Sequence, residues 1–76
     1  MKVFVVTDDS NEKCDVYASA DEAWDRANHR FDKLYPQFID RKEVAEEDGD
    51  GITTIYATDD FGNYVMVTIW EREVID

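Results

Sequence analysis

The chain has 76 residues and 8.9 kDa; 19 acidic side chains stand against 8 basic ones, for a net charge of −11, and 43% of residues are hydrophobic. That composition marks a folded domain with room for one core, so a single domain over 1–76 is expected. So acidic a surface argues against autonomous binding to DNA, RNA or an anionic membrane, and no apolar run approaches the ~20 residues of a membrane span.

Residues 3–7, Val-Phe-Val-Val-Thr, are apolar on both alternating faces, which predicts a strand inside a sheet. Residues 8–12 read as a turn, built from side chains that cap their own backbone. A short strand over 14–18 completes a hairpin. Ser19, with Glu22 three residues on, forms a capping box that starts a helix over about 20–35. Ala20, Ala23, Trp24, Ala27, Phe31, Leu34 and Tyr35 make its apolar stripe. The alanines allow close approach to a sheet, and Trp24 and Phe31 are expected to supply most of the buried area. Pro36 ends the helix.

Residues 36–41 are expected to form a loop anchored by Phe38 and Ile39. A charged edge strand follows over 42–47, with Val44 pointing inward. Asp48-Gly49-Asp50-Gly51 is a turn, 52–58 a strand, 59–63 a second turn, and 64–74 the longest strand. The fold class is therefore α+β, ββαβββ, with one helix packed on one face of a mainly antiparallel sheet. The apolar strands 1 and 5 belong at the centre and the polar strands 2 and 3 at the edges, which gives the order 2-1-5-4-3.

One helix covers one sheet face, yet both faces are apolar. On strand 5, Val65, Val67 and Ile69 alternate with Tyr64, Met66, Thr68 and Trp70, and Tyr56 and Ile52 on strand 4 join the second set. Tyr56, Tyr64, Met66 and Trp70 are thus candidates for an oligomer interface or partner surface, with a homodimer as one outcome. The opposing readings are that the 36–41 segment folds over this face, or that scattered exposed aromatics are simply tolerated there.

Sites for chemistry are sparse. Cys14 is the one cysteine and His29 the one histidine, and nothing in the pattern brings them together as nucleophile and base. A zinc site needs three or four such ligands. Glu46-x-Asp48-x-Asp50-Gly51 imitates the start of an EF-hand loop, but the twelfth position is Ala57 where a bidentate Glu belongs, and a strand follows where a helix should. No catalytic residue, metal or cofactor is expected, and the chain is read as a non-enzyme. With a single cysteine no intramolecular disulfide forms, which favours a cytoplasmic location.

The acids invite three readings: a solvated surface, adaptation to high salt, or carboxylates that imitate backbone phosphates. The predicted topology gathers Asp8, Asp9, Asp40, Asp59 and Asp60 at one end. It gathers Asp21, Glu46, Glu47, Asp48 and Asp50 at the other. Asp8, Asp9, Asp59, Asp60, Glu46, Glu47, Asp48 and Asp50 are the candidate partner-binding residues, for a protein with a basic nucleic-acid-binding surface.

Three stretches, Met1-Lys2-Val3-Phe4-Val5-Val6-Thr7, Val16-Tyr17-Ala18-Ser19 with Asp21-Glu22-Ala23, and the strand 64–70, resemble small proteins of bacteriophages and mobile elements. In size and acidity the chain is similar to anti-CRISPR and anti-restriction inhibitors, many of which imitate DNA. The resemblance implies inhibition of a host-defence complex in a bacterial host cell and carries over no site residue. The alternative expectation is a self-associating assembly module that uses the aromatic sheet face.

Overall fold

A computed structural model describes residues 1–8, 14–47 and 51–74. The strands are β1 Lys2–Asp8, β2 Cys14–Tyr17, β3 Glu43–Glu47, β4 Ile52–Thr58 and β5 Tyr64–Glu73, and the helix α1 is Ala20–Leu34. They form one antiparallel sheet in the order β2-β1-β5-β4-β3, with α1 across one face. The predicted class and strand order are observed. Asp8, expected to open a turn, is the last residue of β1, paired with Val67; the rest of the turn expected over 8–12 and most of the one over 48–51 lie outside the described residues.

The sheet order follows from residue type. β5 pairs with β1 along Val6–Ile69 and with β4 along Ile55–Val67. These β-branched side chains face α1 and are buried, as are Ala57, Ala23, Ala27 and Phe31. Ala23, Ala27 and Phe31 recur every four residues, so they form one narrow line down the helix.

That narrow line corrects the expected stripe. Trp24 is 40% exposed and Leu34 46%. The methyl-sized Ala23 and Ala27 let the helix settle close to the sheet. A residue one position on is turned by about 100°, so Trp24 falls beside the contact line. Ser19 caps the helix start in extended backbone, and its Oγ accepts from the Glu22 N–H at 3.4 Å. At the other end the Tyr35 N–H donates to the Phe31 carbonyl before Pro36.

Residues 36–41 are not a plain loop. Pro36–Arg41 is a 3-10 helix with Pro at its start, packed against α1 and β4. Phe38 is buried in the core among Phe31, Ile55 and Val67, while Ile39 is 44% exposed. The segment therefore closes the helix side of the sheet and leaves the second face uncovered. β3 starts at Glu43, and Val44 lies on the α1 side at the sheet edge, where it stays largely exposed.

Glycine is required at Gly51, which has φ 66° just before β4. Its carbonyl accepts from the Glu71 N–H at 2.8 Å, and a Cβ there would stand 2.9 Å from Glu71 Cβ.

Candidate interaction surfaces

At the end of the molecule holding the β4–β5 turn, acids meet cations. Asp8 is buried, and its Oδ2 lies 3.4 Å from Arg30 Nε; Arg30 Nη1 lies 3.4 Å from Asp15 and donates to the Val6 carbonyl. Asp60 takes a two-pronged contact from Arg41 at 3.1 and 3.2 Å. Lys42 Nζ reaches Asp32 at 2.8 Å and Asn28 at 3.2 Å, over the Phe31 ring. Asp59 is committed to its own turn. Its carboxylate accepts from the Asn63 side-chain amide and from the Phe61 and Asn63 N–H groups.

The acidities follow these contacts. Asp59 is held below the ordinary value of 3.8, first by the Asn63 side-chain bond, then by the two backbone donors and the nearby Arg41. Asp60 is lowered by the hydrogen bond and charge of Arg41, whose own value Asp60 raises.

Of the eight predicted partner-binding acids, Asp8 is thus a buried ion-pair member, which corrects its assignment to an exposed acidic turn. Asp59 is half-buried and Asp60 exposed, and both are engaged within the chain. Asp9, Asp48, Asp50 and the Glu47 side chain lie outside what the structure describes. Glu46 is exposed.

At the opposite end a groove of about 510 Å³ runs between the start of α1 and the sheet. Phe4, Trp24 and Ile69 give it apolar walls, and Asp21, Glu46 and Glu71 contribute carboxylates. Glu71 has Lys2 at 3.3 Å. Asp21 and Glu46 make no ion pair among the described residues, nor do the exposed Glu22 and Asp25 further along α1. The topology predicted that Asp21 and Glu46 share an end. Glu71 was missed, although its alternation with Ile69 places it on the helix side.

The third surface is the sheet face away from α1. Trp70 spans it, with Nε1 donating to Thr7 Oγ1 at 3.0 Å and Arg72 stacked over the ring at 5.1 Å. Tyr56 and Tyr64 stack at 5.8 Å. Met66 stands opposite Tyr56, so the four predicted interface residues share one face. Cys14 also lies on this side, by its pairing with Thr7, whereas α1, which bears His29, crosses the other.

Among the described residues no group of three His, Cys, Asp or Glu side chains is placed to hold a metal ion, and no helix is long and apolar enough to cross a membrane. No protein-family model, curated protein or solved structure matches the chain.

Proposed function

We propose that the chain is a non-enzymatic acidic binding protein that occupies the basic, nucleic-acid-binding surface of a protein partner, as an inhibitor of a host-defence complex would. The carrying observation is the unequal matching of its acids. Asp8, Asp15, Asp32 and Asp60 have basic partners within the chain, whereas Asp21, Glu22 and Asp25 on the first two turns of α1, and Glu46 across the groove, have none among the described residues. Asp21 and Asp25 are four residues apart, about 6 Å of helix rise, close to the rise over two phosphates of one DNA strand at ~3.4 Å each. The candidate contact surface thereby moves from the β4–β5 turn to the helix start.

Capture from a bacterial lysate at low salt tests this. The tagged chain is expected to retain a nucleic-acid-binding protein, which duplex DNA competes off. Combined Asp21→Asn, Glu22→Gln, Asp25→Asn and Glu46→Gln should abolish retention. Far-UV circular dichroism serves as control, because acids in the first turn also support the helix dipole. Retention that ignores both duplex DNA and the fourfold variant, or no retention, contradicts the proposal.

A second reading, a self-associating assembly module, is favoured by the uncovered sheet face.

A further inference from the structure

We infer that the sheet face opposite α1 packs against the same face of a second copy, making a two-sheet sandwich with the helices outside. The inference rests on the assembly reading and is independent of the acidic one.

Charge distribution carries the choice of occupant. The chain bears −11, yet on β1, β2, β4 and β5 the one charged residue that the register places on this face is Arg72. Glu43 and Glu47 add two acids, both on the edge strand β3. The face therefore sums to about −1 by register, and its centre is Val, Thr, Tyr, Met and Trp. A two-fold contact sets a surface against itself, so like charges on it would oppose one another. This face can meet itself with little repulsion, while the helix side, with its unmatched acids, would repel its copy. A basic partner, conversely, finds few carboxylates here to recognise.

Area agrees. Five strands at ~4.8 Å and about seven residues at ~3.3 Å span roughly 550 Å² per face. Two such faces bury about 1,100 Å², just past the ~1,000 Å² expected of a specific interface. Sheets stack about 10 Å apart, a gap that inward-facing Val, Met and Trp side chains fill. Part of the face already resists water: Thr68 is 5% exposed, while Val16 at 60% and Tyr64 at 48% stand out from it. Burial of a second apolar face would also relieve the marginal core of so short a chain.

Sedimentation equilibrium of the full chain at low and high salt is the test. The expected mass is about twice 8.9 kDa, with the dimer more complete at high salt, where repulsion between two −11 chains is screened. Val16→Glu with Tyr64→Glu, at exposed positions whose loss leaves the core intact, should return the mass to 8.9 kDa with an unchanged circular dichroism spectrum. A wild-type mass of 8.9 kDa at every salt and concentration overturns the inference, and so does a dimer that the double variant leaves intact. If the double variant is monomeric but keeps its DNA-competed capture, the dimer stands and the assembly reading of function fails.

Discussion

At the scale of single residues, the arrangement turns on which carboxylates have partners. Asp8 and Arg30 are both largely withdrawn from water, with side chains 7% and 15% exposed. Taking the guanidinium from a buried carboxylate leaves a desolvated charge poorly compensated. Arg30→Met is expected to lower stability by about 3 kcal/mol in urea denaturation, and a loss below about 1 kcal/mol would contradict the pairing. Asp59 behaves differently, because it is only half-buried and its bonds stay within its own turn. Its folded acidity is stronger than its unfolded one, so its contribution is complete above the unfolded value of 3.8 and is lost as pH falls through the lower folded value. Amide resonances of Phe61 and Asn63 should therefore titrate with a midpoint below 3.8, and Asp59→Asn should abolish the step. A midpoint at or above 3.8 would mean that the turn does not hold the carboxylate.

Among the elements, α1 sets how near the helix lies to the sheet. Ala23 and Ala27 are fully buried, and the sheet side chains beneath them leave no room for a longer residue. Ala27→Leu is expected to cost about 2 kcal/mol by overpacking, whereas Ala20→Leu, at an exposed position, should be near neutral. Equal urea midpoints for the two variants would contradict the close approach. The same element shows where patterning informs and where it stops. Alternation along Val65, Val67 and Ile69 separated the two faces of β5, because a period of two has one solution once a face is buried, and the contrast between apolar and polar strands gave the strand order. Helical periodicity marked Trp24 as apolar-side but not as exposed, since the width of the contact strip depends on how closely the helix packs. The 3-10 helix after Pro36 was hidden for a related reason: six residues hold too little periodicity, and the burial of Phe38 depends on α1 and β4.

Over the whole molecule, acids, cations and apolar surface are sorted by side. Cations at the β4–β5 end answer Asp8, Asp15, Asp32 and Asp60, the start of α1 and Glu46 keep their charge, and the far sheet face carries little charge at its centre. Composition alone revealed the excess of acid. It did not reveal which acids are matched, because Arg30, Arg41 and Lys42 meet theirs only through tertiary contacts 10 to 22 residues apart along the sequence. The two surfaces respond to salt in opposite senses. Screening weakens a Coulombic contact with a basic partner and strengthens association of two like-charged copies. The most direct measurement is partner capture across a salt series with two variants side by side, the Asp21/Glu22/Asp25/Glu46 neutralisation and Asp59→Asn with Asp60→Asn. The account predicts capture that falls steeply with salt, is lost in the first variant and persists in the second. Capture lost in the second variant and kept in the first would place the contact at the β4–β5 turn and contradict the assignment to the helix start.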